Sequence, residues 1–193
     1  ANPLGYLKYT YTASEIQPDM LNADITKTTD SPSWGGLYLQ YFEKFDQVQQ
    51  QKGILSVTKK LFIEKIGSDG KQELLPLGKE KLKTGDKVIT RLTLSLKQDM
   101  DFLYLKDFRA ACFEPIGQLS GNRWKFGTVY YEESKDAVTN FFFNSLAKGT
   151  YVLEYPVWVN QAGTYQDGIA TFQSMYAPEY TAYSEAGKIT VTK

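Results

Sequence analysis

Apolar and polar residues alternate along much of the chain after residue 53. The clearest example covers residues 88–97, where every second residue from Val88 to Leu96 lies on one face that is apolar apart from Thr90. The opposite face is mostly polar or charged and includes Arg91. A period of two places successive side chains on opposite faces of a strand, so this segment predicts a strand with one face in a core and the other in water.

Turn signals separate further segments of this kind. Asp69-Gly70 predicts a hairpin turn, and residues 83–87 predict another. Lys59 interrupts the apolar face of the strand before the first turn. Pro156 lacks an amide hydrogen, so its strand is predicted to lie at a sheet edge or to contain a bulge. The further predicted strands cover residues 55–64, 102–113, 129–131, 139–143, 150–160, 168–176 and 188–192.

Short strands at intervals of about ten residues, with no segment of helical period, are typical of an all-β antiparallel β-sandwich. The first 52 residues are less regular, but strands are predicted there at residues 23–28 and 34–43. The Gln-rich stretch 46–53 has the composition of a linker. We therefore predict an additional N-terminal β segment at 1–52, followed by a two-sheet, Ig-like β-sandwich domain at 53–193.

Composition narrows the possible partners. The 22 Lys and Arg residues balance 22 Asp and Glu residues, so no basic surplus exists to neutralise a nucleic-acid backbone. No apolar run approaches the ~18 residues that a membrane-spanning helix needs. The start of the chain lacks the basic and apolar regions of a signal peptide, so we expect an internal fragment or a chain that has lost its leader.

The sequence offers little catalytic chemistry. It contains no His, the residue that most often serves as a general base or metal ligand at neutral pH. Cys112 has small apolar neighbours and is expected to lie in the core. Glu132 and Glu133 are adjacent on a predicted strand, so they point to opposite faces. Asp99 and Asp101 lack the glycine and distal glutamate of a calcium loop. We therefore predict that the chain is not an enzyme and that it has no metal or cofactor site.

Aromatic residues make up 15% of the chain, and they have two interpretations. Exposed on a sandwich they would form a carbohydrate platform, whereas on inner strand faces they fill the core, which is the usual role. Trp158 is the best candidate for exposure or for contact with another domain, because it lies on the face opposite Tyr155 and Val157. The platform candidates are Trp34, Trp124, Trp158, Tyr130 and Tyr131.

Four ordered stretches within residues 53–193 resemble a known family. Together they are similar to the C-terminal macroglobulin-like domain of bacterial alpha-2-macroglobulins. Residues 25–28 and 33–38 are similar to the linker and CUB-like β region between that family's helical thioester domain and its last domain. The four stretches are 82–88 (LKTGDKV), 104–115 (YLKDFRAACFEP), 140–151 (NFFF to KGTY) and 168–179 (GIAT to MYAPE).

The resemblance implies a non-catalytic structural and interaction domain of a large extracytoplasmic protease trap, either periplasmic or anchored as a lipoprotein. In such proteins a protease cuts a bait region, and the molecule then rearranges and traps it. The implied partners are the other domains of the same polypeptide and, through them, target proteases. The alternative function is a free-standing carbohydrate- or peptide-binding β-sandwich module.

The resemblance also suggests one candidate site. Many family members form a thioester from a Cys-x-Glu-Gln motif, which is absent here because Cys112 precedes Phe-Glu-Pro. In thioester-bearing relatives a Met-Tyr pair from this domain shields the thioester from water, and Met175-Tyr176 matches that pair. An aromatic lid of this kind excludes water from a reactive acyl group. The alternative role of Met175 and Tyr176 is ordinary packing.

Overall fold

The computed structural model describes residues 5, 7–28, 30–78, 81–117 and 119–193. The chain divides into two units, Ala1–Tyr41 and Phe42–Lys193. Residues 1–4, which bear on the leader prediction, lie outside the described part. Within that part, no helix has the length and apolar character needed to cross a membrane.

The second unit is built from β-strands. A 3-10 helix at Phe45–Gln47 precedes them. The described residues form fourteen strands: β1 (Leu55–Ile66), β2 (Gln72–Pro76), β3 (Leu82–Lys83), β4 (Lys87–Leu96), β5 (Met100–Phe108), β6 (Phe113–Pro115), β7 (Gly121–Lys125), β8 (Thr128–Ser134), β9 (Val138–Leu146), β10 (Gly149–Val159), β11 (Gly163–Gln166), β12 (Ala170–Ser174), β13 (Thr181–Tyr183) and β14 (Lys188–Thr192).

The strands form two large sheets and one small one. The five-stranded sheet has the order β2-β1-β4-β10-β6, and the six-stranded sheet has the order β13-β12-β5-β9-β8-β7. A three-stranded sheet, β11-β14-β3, contains the parallel pair β14–β3. The buried side chains of both large sheets belong to one hydrophobic cluster. The predicted all-β, two-sheet sandwich is therefore confirmed.

Strand β4 shows how the sequence pattern produces the core. It pairs antiparallel with β1 on one side and with β10 on the other. Its buried and half-buried residues alternate without interruption, and Val88, Leu92 and Leu94 are completely buried. Burial of one such side chain contributes about 1.5–3 kcal/mol. The strand predicted from the alternation at residues 88–97 is therefore a central strand of the sandwich.

Both predicted turns are present. Gly70 adopts φ +78° between β1 and β2, and the Asp69 carboxylate accepts a hydrogen bond of 3.0 Å from the Lys71 amide. Before β4, Gly85 adopts φ +91° and the Lys83 amide donates to Asp86 Oδ2 at 2.8 Å. Glycine is favoured at such positive φ values because it has no Cβ.

The prediction for Pro156 needs correction. Strand β10 lies between β4 and β6, and its register with β4 is continuous, so it is neither an edge strand nor bulged at Pro156. Proline is tolerated here because the pairing of β10 with β6 begins only at Val157. The missing amide hydrogen therefore falls next to the end of that ladder, where the Pro156 carbonyl accepts from Ile116 at 3.2 Å.

The predicted N-terminal β segment is not formed. Residues 23–28 and 34–43 have no strand structure, and Gln51 makes only an isolated bridge to Tyr183. These two segments alternate like strands but have no pairing partner, because the described residues before Leu55 include no strand. A 3-10 helix covers Pro18–Leu21 in the first unit. The assignment of 1–52 to a preceding domain stays a prediction.

Candidate functional site

Met175 and Tyr176 lie in the turn that follows β12. The Ser174 amide donates to Tyr180 O at 3.0 Å, and the Ala177 amide donates to Ser174 Oγ at 3.3 Å. These bonds fix the turn, yet the side chains of Met175 and Tyr176 are 50% and 77% exposed. Large apolar side chains held in water by an ordered turn are typical of a contact surface.

Phe102 completes this surface. It adopts φ +51° and has no partner in the β5–β9 register, where Asp101 and Leu103 are both paired. A non-glycine residue in this conformation costs about 1–2 kcal/mol. Its ring packs edge-on against Tyr176, with centroids 5.2 Å apart. We call Phe102, Met175 and Tyr176 the aromatic ledge.

The outer face of the six-stranded sheet carries a second group of rings. Tyr131, Phe142 and Tyr104 are direct cross-strand neighbours on β8, β9 and β5. Tyr104 and Phe142 stack with centroids 4.9 Å apart, and the Tyr104 hydroxyl donates to Asn140 at 2.8 Å. The stacking turns these two ring faces toward each other, so they do not offer a flat platform to a sugar.

The platform candidates are not brought together. Tyr130 is buried against Phe143 in the core. Trp124 pairs with Val129 at the exposed β7–β8 hairpin of the six-stranded sheet. Trp158 is half-exposed on the five-stranded sheet, next to Glu114 in register. Trp34 is exposed and belongs to the other unit. The role of Trp158 as a domain contact stays a prediction.

Cys112 is a core residue, as predicted. Its side chain is completely buried within the hydrophobic cluster. Burial raises the pKa of the Cys112 thiol to about 11, and the nearby Asp167 carboxyl adds to the rise. A thiol with this pKa is protonated at neutral pH and is a poor nucleophile.

The candidate carboxylates are dispersed. Glu133 accepts a hydrogen bond of 2.7 Å from Asn140, which lowers the pKa of the Glu133 carboxyl. Glu132 lies on the other face of β8, where burial raises its pKa. Asp99 accepts the Lys148 amide at 2.7 Å and fixes a turn. Within the described part of the chain, no group of three or more His, Cys, Asp or Glu residues could hold a metal ion.

A buried ionic cluster is centred on Lys59. Its Nζ lies 2.9 Å from Asp107 Oδ1 and 3.4 Å from Asp167 Oδ1, and the Lys59 and Asp107 side chains are 2% and 0% exposed. Nζ also donates to the carbonyls of Phe108 at 2.6 Å and Asp167 at 3.0 Å. Neither Oδ1 accepts an aligned hydrogen bond from the described residues, so both carboxylate contacts are ion pairs. The unexpected lysine in the apolar face of β1 is thus paired.

Tyr155 extends this cluster across the sandwich. Its hydroxyl donates to Asp107 Oδ2. Burial and the Asp107 charge raise the pKa of Tyr155 well above its usual range. Burial also raises the pKa of Asp167, although Lys59 opposes the rise. Lys59 and Tyr155 belong to the five-stranded sheet and Asp107 to the six-stranded sheet, so the cluster joins the two layers.

Gly168 allows the loop with Asp167 to approach β5. It adopts φ +84°, and a Cβ at this position would lie 2.1 Å from the Phe108 carbonyl oxygen. Only glycine therefore fits here without a shift of the backbone. The close approach places the Asp167 carboxyl beside Lys59.

One family model matches residues of the second unit. The sequence model of the family described as "Bacterial Alpha-2-macroglobulin MG10 domain" matches residues 55–179. A structure of Salmonella alpha-2-macroglobulin reacted with methylamine is similar, with a TM-score of 0.58, 19% identity and coverage of 76% of this chain and 10% of that chain. A comparison with curated proteins finds no match.

Two Escherichia coli structures are similar to the same extent. For alpha-2-macroglobulin activated by porcine elastase the TM-score is 0.59 and the identity 20%, over 76% of this chain and 14% of that chain. For the native protein from domain MG7 to the C-terminus the TM-score is 0.57 and the identity 18%, over 75% of this chain and 24% of that chain. At these identities the structures show the fold alone.

The chain thus spans between 10% and 24% of the lengths of these solved chains. The family model, in contrast, matches well over half of this chain. The resemblance predicted from the four ordered stretches is therefore confirmed. The chain belongs to the bacterial alpha-2-macroglobulin family, and its residues 55–179 form an MG10 domain.

Proposed function

We propose that this chain is a non-catalytic structural and interaction domain of a large bacterial protease trap, and that its aromatic ledge contacts a neighbouring domain. The observation that carries the proposal is the ledge itself. Three large apolar side chains are held in water by a hydrogen-bonded turn and by a Phe102 backbone with φ +51°. Strain of this kind persists where function requires it.

Several observations support a contact role over catalysis. The sequence has no His, the Cys112 thiol is buried with a raised pKa, and the candidate carboxylates point in different directions. The partners that we propose are other domains of the parent polypeptide and, through them, target proteases. An extracytoplasmic location, periplasmic or as an anchored lipoprotein, is part of the same proposal.

Where the parent has a thioester, we propose that Tyr176 and Met175 cover it. The Tyr176 ring is 77% exposed in this chain, so it is free to lie over a group on a neighbouring domain. A reactive acyl group survives in water only when solvent is excluded from it. In a parent without a thioester, the ledge would act as a domain contact alone.

The test uses the full parent polypeptide. Met175 and Tyr176 are both replaced by Ser, and Trp124→Ser, at an equally exposed aromatic on the β7–β8 hairpin, is the matched control. We expect the double variant to lose protease retention and, where a thioester exists, to release a free thiol in buffer. The control should behave as wild type. Normal retention by the double variant would refute the role of the ledge.

A further inference from the structure

Lys59 and Asp107 have the geometry of a reacting pair. We propose that Lys59 Nζ and the Asp107 carboxyl form an intramolecular amide bond, which would join the two large sheets covalently. In the structure Nζ lies 2.9 Å from Oδ1. This modification is independent of the aromatic ledge and of the proposed contact function.

The fold supplies the proximity that the reaction needs. Lys59 lies on β1 of the five-stranded sheet and Asp107 on β5 of the six-stranded sheet. Groups held at roughly 3–3.5 Å react as if at effective concentrations of about 10⁵–10⁸ M. Nζ is further held by the carbonyls of Phe108 and Asp167. The one hydrogen that remains on the amide nitrogen can keep one of these bonds.

Burial keeps water away from the Lys59–Asp107 pair. The side chains of Lys59 and Asp107 are almost completely inaccessible, and Val57 and Leu105, which flank them at alternate positions, are fully buried. Water is therefore excluded from the reacting atoms. Lys59 becomes a nucleophile once it has given up a proton.

Asp167 provides the proton acceptor. Its Oδ1 lies 3.4 Å from the same Nζ. Burial raises the pKa of Asp167, which suits a carboxyl that must accept and then return a proton. With one ammonium between two carboxylates, Asp167 can take a proton from Lys59 and pass it to Asp107, whose acid form is the electrophile.

The step balances without an oxidant or cofactor. The Lys59 ammonium gives one proton, through Asp167, to Asp107 Oδ1, and the neutral Nζ attacks Cγ of the resulting acid. The new C–N bond forms, and the C–Oδ1 bond breaks. Oδ1 leaves as water with the proton returned by Asp167 and a second proton from Nζ. The products are an amide, one water molecule and the Asp167 carboxylate.

Tyr155 stabilises the charge that develops during attack. Its hydroxyl already donates to Asp107 Oδ2, the oxygen that stays on the carbon. A fixed donor at such an oxygen lowers the barrier to acyl transfer. The cluster thus contains a nucleophile, an electrophile, a proton carrier and an oxyanion donor.

The chain offers an internal control. Lys87 Nζ lies 2.7 Å from Glu64 Oε1, closer than the proposed pair. That pair is more exposed, at 29% and 16%, and within the described residues no second carboxylate pairs with its ammonium. If proximity alone were enough, Lys87 would therefore form a cross-link with Glu64. Burial and proton transfer restrict the reaction to Lys59.

The experiment is the intact mass of the purified, folded chain, followed by peptide mapping. We expect a mass lower than the sequence mass by one water molecule, and a branched peptide that joins Lys59 to Asp107. Mapping is essential because Asp69-Gly70 and Asp167-Gly168 can each lose water as a succinimide within one peptide. The full sequence mass in a chain with a β circular dichroism spectrum would overturn the proposal, as would water loss mapped to any other site.

Two variants test the roles within the cluster. Lys59→Arg keeps the charge but should have the full mass. Asp167→Asn keeps the reacting pair and should form the bond roughly a hundred-fold more slowly, because it cannot carry the proton. An unchanged rate in folded Asp167→Asn would overturn the mechanism. If either variant fails to fold, the wild-type mass alone shows whether the amide bond forms.

Discussion

The Met175 amide donates to the Phe102 carbonyl at 2.8 Å, and the same Phe102 has φ +51°. The bond links the turn after β12 to the unpaired residue of β5. It thereby places the Phe102 ring against Tyr176. The strained residue and the exposed pair are thus one structural feature, although they are far apart in the sequence.

Phe102→Gly should change stability little. Glycine relieves a backbone cost of about 1–2 kcal/mol, while the loss of one edge-on ring contact costs about 0.5–1.5 kcal/mol, so the effects nearly cancel. Urea unfolding measures the outcome. Leu103→Ala, at the next and fully buried position, is the control and should cost about 2–5 kcal/mol. A similar loss for Phe102→Gly would mean that the ring is a core contact.

Gly168→Ala should destabilise the domain more than a glycine substitution at a comparable φ. The new Cβ would meet the Phe108 carbonyl oxygen at 2.1 Å. Gly127→Ala is the matched control, since Gly127 has φ +73° but no atom within 4 Å of an added Cβ. The control should cost about 1–2 kcal/mol through backbone strain. Equal midpoints in urea for the two variants would contradict the close approach of the Asp167 loop.

Lys59→Met should strongly destabilise the sandwich, because it leaves Asp107 buried without its cation and removes the proposed amide bond between the sheets. Removing one partner of a buried ion pair costs about 3–5 kcal/mol. Lys87→Met removes a more exposed pair and should cost about 1 kcal/mol or less. Thermal and urea unfolding compare the two. A smaller effect at Lys59 than at Lys87 would contradict the assignment of the cluster as the tie between sheets.

Asn140→Ala should raise the pKa of Glu133 toward its ordinary value of 4.5, because the Asn140 side chain is the main cause of the lowered pKa. The depressed pKa in the folded state contributes stability above pH 4.5 that is lost as the pH falls through the folded value. NMR titration of the Glu carboxyl carbons measures the pKa of Glu133 in the variant and in the wild type. Glu132, on the opposite face of β8, should keep its titration. A shift at Glu132 alone would contradict the contact.

Cys112 should react with a thiol reagent only when the domain unfolds. The thiol is fully buried, and its pKa is raised to about 11. We expect negligible labelling in buffer and rapid labelling in concentrated urea. Rapid labelling of the native domain would show that the β6 region opens far more easily than a core position should.

The sequence predicted the central strands because their alternation is strict. Val88 to Leu96 lies between two long partners, and every apolar position on its inner face is buried. The same alternation over 34–43 gave a wrong strand prediction. Alternation describes the two faces of a segment but does not show whether a neighbouring strand is present to pair with it. The short strands β7 and β11 were missed among glycine-rich segments, where pairing and not side-chain pattern defines them.

The candidate sites were predictable only in part. Lys59 gave a signal, since a lysine in an apolar strand face requires a partner. Asp107 and Asp167 could not be assigned to it, because that pairing depends on how the two sheets stack. Met175 and Tyr176 came from the family resemblance. Phe102 gave no signal, because nothing in residues 100–105 predicts a positive φ at a phenylalanine.

In the parent polypeptide, a neighbouring domain should cover the aromatic ledge. Hydroxyl-radical footprinting measures this directly, because exposed Met and Tyr side chains oxidise readily. We predict fast oxidation of Met175 and Tyr176 in the isolated chain and marked protection in the intact parent, with Trp124 as the reference side chain. Equal oxidation of the pair in both states would show that no domain covers the ledge.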